Sequence, residues 1–478
     1  MRKNSLNYFG DRNKNVVGII TRPQNVDSVP RWLCDRDGEI RYAFGLIKAE
    51  QLLFRRASDG KWTPIKIDFE RDTPLAVDTD SAVLLIAHLN DEGSCELRRF
   101  DTRNNSLGPV LYTDEKYDFS DGRLHFSPDG REPVSLTYAQ QAPTRFWFRA
   151  ADQALQATID SALPPDRLNH ITSRSRDGQK LLVTSGSDRH PGTLYFIDLA
   201  AHKVRKIADL APWLPERLLA PVRLMSFRTR DGLTLDGYVT LPQNYVEGKP
   251  APTVVLPHGG PWARDVWGYE PWSQFLASRG YVVFRPNYRG SSGYNAALSL
   301  APAMEFRKMH DDVTDGVRAL VAAKISDPAH LAIFGASFGG YLAMSGAAFE
   351  PDLYKCAITF AGVFDWAELM QQDKDNGNEY RYAWLRRDFG DPEKDRAKFD
   401  AMSPLQAVAN VRIPIFVAHG KEDRNADTDQ SRSLVRALKK AGVPHEAWFI
   451  PDEAHGLSEL AHRTELFTRV EAFLKKHL

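Results

Sequence analysis

A serine, an aspartate and a histidine are spaced along the carboxyl-terminal half of this sequence in a way that suits nucleophilic catalysis. Gly335-Ala336-Ser337-Phe338-Gly339 follows the apolar run Leu331-Ala332-Ile333-Phe334 and precedes a small-residue helix, Tyr341 to Phe349. A serine between two glycines on a strand-to-helix turn has its hydroxyl pushed out above the sheet edge, because only glycine tolerates so tight a flank. The hydroxyl becomes a nucleophile when a base takes its proton, and that base needs an acid to fix its tautomer. Asp423 and His455 are the candidates for acid and base.

The elements around these residues bring them to one edge. Ile413 to Ala418 reads as a buried parallel strand ending in His419-Gly420-Lys421-Glu422-Asp423, so Asp423 stands in the loop at its carboxyl end. Ala447 to Ile450 reads as the next strand and leads into Pro451-Asp452-Glu453-Ala454-His455-Gly456, just before the final helix. Carboxyl ends of strands are where open α/β sheets build their sites, and serine, acid, histidine is the chain order of α/β-hydrolases. A further strand, Thr253 to Leu256, ends in Pro257-His258-Gly259-Gly260-Pro261-Trp262, a glycine loop of the kind that gives a backbone N–H to a developing oxyanion. The N–H groups of Gly260 and Phe338 are the expected pair. Each feature has a plainer reading: Ser337 easing helix packing, Asp423 capping the helix near Thr428, His455 as one surface histidine among 13, the glycines as a turn. Their joint occurrence in this order favours the chemical reading.

Three stretches, His258-Gly259-Gly260-Pro261, Asn287-Tyr288-Arg289-Gly290-Ser291-Ser292-Gly293-Tyr294 and Gly335 to Tyr341, resemble the prolyl oligopeptidase family of serine peptidases, and most of all its acylaminoacyl-peptidase-like branch. The resemblance spans residues 222–478. It implies cofactor-free hydrolysis of short peptides through an acyl-enzyme, near an amino terminus, behind a β-propeller that shields the site. It also implies that the insert Phe364 to Phe399 contributes to the pocket for the residue before the scissile bond, with Trp366, Tyr380 and Tyr382 as lining candidates, and that Asn425 contacts substrate. The three aromatics read equally well as packing residues. Phe338 stands where tyrosine is commoner, and Ala426 where valine is usual. His258 occupies the position of a tyrosine that assists the oxyanion in dipeptidyl-peptidase relatives, which favours a hole made of two amides.

The first 215 residues change character. Asp37-Gly38, Asp59-Gly60, Asp121-Gly122, Asp129-Gly130 and Asp177-Gly178 mark hairpin turns between short β runs such as Ala82 to Ile86, Leu181 to Thr184 and Thr193 to Ile197. Their spacing suggests units of roughly 40–50 residues, the length of a propeller blade. That is room for about four blades, fewer than the roughly seven or eight usual in the family it resembles. The expectation is a partial β-propeller-like domain over 1–215, completed by oligomerisation, and an α/β-hydrolase domain over 216–478 with a mostly parallel sheet flanked by helices. Ala211-Pro212-Trp213-Leu214-Pro215 links the two, and the runs Met225 to Arg228 and Leu235 to Val239 form the hairpin that opens the second.

Composition narrows the function. Sixty-two basic and 62 acidic residues cancel, which gives no electrostatic case for nucleic acid or a membrane surface. Three scattered cysteines, Cys34, Cys95 and Cys356, form neither a disulfide framework nor a metal site. The start Met1 to Tyr8 lacks the apolar core of a signal peptide, and no stretch reaches transmembrane length, so a cytoplasmic location is expected. Asp311-Asp312 reads as acidic residues at the amino end of the helix Val313 to Ala323, favoured there by its dipole, and Tyr288 and Arg289 as residues steadying their own loop. No cofactor or metal is expected. A carboxylesterase working on small acyl esters, and a propeller binding platform with a vestigial hydrolase, are the alternatives to a peptidase.

Overall fold

A computed structural model describes residues 7–10, 17–20, 23, 26, 28–47, 50–295, 298 and 306–478. The amino-terminal part is built from antiparallel sheets joined in sequence order. Three have four strands, running over residues 28–65, 72–114 and 168–209, one has three strands over residues 123–147, and Asn7–Gly10 pairs with Val17–Ile20. Four of the five Asp-Gly turns lie where hairpins close, while Asp121-Gly122 sits in the connection between the sheet ending at Asp114 and the one beginning at Arg123. Gly38, Gly60, Gly130 and Gly178 all have φ between 72° and 83°, the left-handed region where glycine costs least. The strand pattern passes over one element, the helix Ala150–Ala162, which buries little more than Asp152 and Ile159 of its own residues.

The carboxyl-terminal part is one eight-stranded sheet. Its spatial order is Val222–Arg228, Thr234–Thr240, Val282–Pro286, Ala251–Val255, Ser326–Ala336, Cys356–Phe360, Ile415–Gly420, His445–Ile450. The first three strands pair antiparallel and all later pairs are parallel. Strand alternation sends neighbouring residues to opposite faces, each covered by helices. Val255, Ile333 and Val417 pack with the helices Phe306–Ala322, Phe338–Phe349 and Thr428–Lys440. Val254, Ala332, Phe334 and Phe416 pack on the other side with Pro271–Ala277 and Leu460–His477.

Asp311 and Asp312 are not at a helix start. The helix that carries them runs Phe306–Ala322, so both lie in its second turn, away from the amino-terminal dipole. Asp312 is fully buried and binds Arg289: its carboxylate accepts from Arg289 Nε at 2.7 Å, Nη2 at 2.6 Å and the backbone N–H at 2.9 Å. Asp231 takes the rest of that guanidinium. Asp312 therefore serves the loop Asn287 to Tyr294, while Asp311 pairs with Arg230 at 3.3 Å.

The two parts touch beside that loop. Arg264 donates to the carbonyls of Ala139 and Gln140 in the amino-terminal sheets and to Gly293, with its guanidinium over the Tyr294 ring. Tyr238 donates to the Gln141 carbonyl at 2.5 Å. Among the described residues no helix is long and apolar enough to cross a membrane, and no group of three or more His, Cys, Asp or Glu is arranged to hold a metal.

Candidate active site

Ser337 lies between the strand Ser326–Ala336 and the helix Phe338–Phe349, which begins three residues earlier than the sequence pattern suggests. Its backbone has φ 57° and ψ −122°, a conformation that non-glycine residues rarely adopt and that persists only where the surroundings enforce it. They do so closely. A Cβ at Gly335 would run into the backbone of Gly339, and one at Gly339 into the Pro257 carbonyl oxygen. The Ser337 N–H donates to the Phe360 carbonyl at 2.9 Å, tying the turn to the next strand.

Three side chains from three loops meet above this edge. The Ser337 hydroxyl lies 2.9 Å from His455 Nε2, and His455 Nδ1 lies 2.7 Å from Asp423 Oδ2. With Nδ1 donating to the carboxylate, Nε2 is left as the acceptor for the serine proton. Ser337 is half-buried and the His455 side chain is 27 % exposed, whereas the Asp423 side chain is fully enclosed. Burial alone would raise the Asp423 pKa, but donors from His419, His455 and the Ala426 backbone outweigh it and hold the carboxyl well below its usual range. The helix-cap reading belongs to another residue: Asp427 caps the helix Thr428–Lys440 by accepting from the Asp429 N–H.

The acid and histidine loops are fastened to each other. Lys421 N–H donates to the Ile450 carbonyl and Glu422 N–H to the Glu453 carbonyl, both at 2.9 Å. A side chain at Gly420 would collide with the carbonyls of Glu453 and Ala454. Glu453, 1 % exposed, anchors the far side of the histidine loop. Its carboxylate accepts from the N–H groups of Ser458 and Glu459, the Ser458 hydroxyl and His462 Nδ1.

Phe338 is the first residue of its helix, so its N–H has no acceptor within that helix and points where the dipole favours negative charge. Its ring packs against Tyr288, Phe306, Tyr341 and Trp366, which accounts for an apolar residue there. The glycine loop lies against the serine: a Cβ at Gly259 would stand 3.4 Å from Ser337 Cβ and 3.9 Å from its Oγ. Gly260 is exposed, with φ 122°, a value closed to residues with a side chain. His258 is engaged elsewhere. Its ring stacks on Tyr288 at 4.3 Å, Nε2 lies 2.9 Å from Ser291 Oγ, and burial pushes it below the usual imidazole range.

The substrate candidates fall in different surroundings. Trp366 is 6 % exposed and stacks on Phe389, so it presents a wall of the aromatic cluster behind Phe338. Tyr382 is half-buried, with the Lys374 ammonium over its ring. Tyr380 lies in the helix Glu379–Phe389, but its side chain is outside the described residues. Asn425 is exposed. Its N–H donates to Asp423 Oδ1 at 2.8 Å and its carbonyl accepts from Arg381 at 2.8 Å, which links the acid loop to the insert.

Sequence reasoning passed over His419. This histidine, fully buried, reaches Asp423 Oδ2 at 3.0 Å and the Ala426 carbonyl at 2.9 Å through Nε2, and Ser431 Oγ at 2.7 Å through Nδ1. The available signal was its place at the end of an apolar strand, four residues before the acid.

The chain is similar to several known peptidases. Dipeptidyl aminopeptidase BIII of Pseudoxanthomonas mexicana is 28 % identical over 442 residues, covering 89 % of this chain and 63 % of the relative. The human acylamino-acid-releasing enzyme is 26 % identical over 260 residues, covering 52 % of this chain and 34 % of that enzyme. This chain thus spans less than two thirds of the curated relatives it matches. Among solved structures, a puromycin-hydrolyzing peptidase of Mycobacterium tuberculosis superposes with a TM-score of 0.76 at 20 % identity, covering 98 % of this chain and 72 % of its own. The acylaminoacyl peptidase of Pyrococcus horikoshii gives 0.70 at 20 % identity, covering 98 % and 73 %. The sequence profile of the prolyl oligopeptidase family matches residues 267–478, the part of the chain that carries the serine elbow and the paired acid and histidine loops.

Proposed function

We propose that the chain is a serine peptidase that cleaves short peptides near their amino termini through an acyl-enzyme. The observation that carries this reading is the hydrogen-bonded row from Ser337 through His455 to Asp423 at the strained elbow. His455 takes the proton of Ser337 as the hydroxyl attacks the carbonyl, and Asp423 orients the ring and stabilises its charged form. The Gly260 and Phe338 amides hold the oxyanion, a contribution of about 3 kcal/mol per donor. His455 then returns the proton to the leaving amine, and water releases the acyl group by the same steps reversed.

The substrate class draws support from the relatives, which are named as a dipeptidyl aminopeptidase, acylamino-acid-releasing enzymes and puromycin-hydrolyzing peptidases. Trp366, Tyr382 and Tyr380 of the insert, with Asn425, are assigned to the substrate side of the site. The amino-terminal sheets, taken as a domain over 1–215, act as blades of a partial β-propeller that screens the site, and residues 216–478 as the catalytic domain. The test is labelling by a fluorophosphonate probe together with turnover of aminoacyl anilides. Ser337→Ala abolishes both if the reading holds, and retained labelling in that variant overturns it.

A further inference from the structure

The Asp423 carboxylate serves two histidines through one oxygen. His455 Nδ1 lies 2.7 Å from Oδ2 and His419 Nε2 lies 3.0 Å from the same atom, while Oδ1 accepts the N–H groups of Asn425 and Ala426 at 2.8 and 3.1 Å. His419 Nε2 also faces the Ala426 carbonyl at 2.9 Å. Facing two acceptors, Nε2 must carry a proton, and the Ser431 hydroxyl at 2.7 Å satisfies Nδ1. The tautomer is therefore set by the fold: the strand Ile415–Gly420 holds the ring, the helix Thr428–Lys440 supplies Ser431, and the loop between them supplies both acceptors. A buried ring committed to three partners does more than fill space.

We propose that His419 is a positioning residue that fixes Asp423 Oδ2 toward His455 and, by sharing that oxygen, limits how tightly the acid holds His455 once it is protonated. This rests on the reading of Ser337, Asp423 and His455 given above. A second N–H on Oδ2 draws charge from it, so the carboxylate is a weaker partner for an imidazolium than it would be alone. The depressed pKa of Asp423 fits a carboxylate with donors on both oxygens. Other charged groups around the loop do not compete for Oδ2. Glu422 and Arg424 are exposed, Arg381 binds Asp373 and the Asn425 carbonyl, Asp427 caps its helix, and Glu453 is occupied by Ser458, Glu459 and His462.

The experiment follows the pH dependence of fluorophosphonate inactivation and of kcat/KM on an aminoacyl anilide, using the full chain and three variants. His419→Met fills the volume without a donor, His419→Gln brings an amide N–H to the Nε2 position, and His419→Asn keeps the Ser431 contact but stops short of Oδ2. In His419→Met, kcat/KM falls roughly 10- to 100-fold, the scale of a misplaced catalytic group. The acidic limb of both profiles rises by about half a pH unit or more, because the unshared carboxylate holds protonated His455 more firmly. His419→Gln returns the limb to its wild-type position. A folded His419→Met with an unmoved limb overturns the proposal, as does a Gln variant indistinguishable from Met. Should His419→Met not fold, the comparison passes to Asn and Gln: a limb displaced only in Asn supports the proposal, and coincident limbs overturn it. Failure of the active-site reading is separate, since it appears as labelling of Ser337→Ala.

Discussion

Gly339 lies so close to Pro257 that no side chain fits between them, since a Cβ on Gly339 would occupy the space of the Pro257 carbonyl oxygen. The turn that carries Ser337 thus rests directly on the strand end that leads into His258-Gly259-Gly260. Nucleophile and candidate oxyanion donor keep their relative positions because two backbones touch. Gly339→Ala must part them. We predict a stability loss of about 1–3 kcal/mol, the usual cost of overpacking. Activity should fall further than the lost folded fraction explains, because the amides of Gly260 and Phe338 move relative to Ser337. Urea unfolding beside active-site titration with a fluorophosphonate separates the two effects, and full specific activity per labelled serine would contradict the prediction.

Asp423→Asn keeps the shape of the acid loop but changes what it offers. An amide can present its N–H₂ to His455 Nδ1, which then accepts and leaves the proton on Nε2, the atom facing Ser337. The serine loses its base. A fall in kcat of roughly 10⁴-fold is expected, with KM much less affected. Steady-state kinetics on an aminoacyl anilide measure this, and a drop of under tenfold would assign the acid to another residue.

Much of this site is legible in the sequence because its parts are local. Ser337, Asp423 and His455 each sit a few residues past an apolar run, and their order fits one known arrangement. What was not legible depends on elements that meet only in space. His419 looks like the end of a strand until Ser431, twelve residues on, turns back to bind its ring. The acidic pair Asp311-Asp312 imitates a helix start, yet the helix already runs from Phe306 and Asp312 faces inward to Arg289. The helix Ala150–Ala162 vanished into a region read by its turn spacing, since it buries few residues and leaves no clear stripe.

Glu453 predicts a pH dependence of stability. Burial would raise its pKa, but the N–H groups of Ser458 and Glu459, together with His462 and the Ser458 hydroxyl, bring it from an ordinary 4.5 down to about 2. A carboxyl whose pKa is lower folded than unfolded stabilises the fold fully above the unfolded value, and that contribution drains away as the pH falls through the folded one. The window is therefore pH 4.5 down to about 2. Glu453→Gln should lower the denaturation midpoint at pH 7 and make stability flatter across that window than in the wild type. Midpoints measured at pH 7, 5 and 3 (each about a unit or more from the next) decide it. Parallel falls in the two proteins would show that Glu453 is not the group responsible.

Arg289 and Asp312 supply the sharpest stability test. Both are buried, and Asp312 binds the guanidinium from inside while Asp231 binds it from the rim. Removing one charge of a buried pair leaves the other desolvated and uncompensated, at a cost of about 3–5 kcal/mol, whereas replacing both with apolar groups is often neutral. Asp312→Leu alone should therefore destabilise the chain strongly, moderated by the remaining bond to Asp231. The double variant Arg289→Met with Asp312→Leu should recover much of that loss. Recovery would not be complete in function, because the Arg289 loop also carries Tyr288, whose hydroxyl donates to the His258 carbonyl at 2.9 Å beside the glycine loop. The double variant is expected to be more stable in urea than Asp312→Leu and still slower than wild type on an aminoacyl anilide. If the double variant is the less stable of the two, the pair is net stabilising here and the rule for buried ion pairs does not extend to this loop.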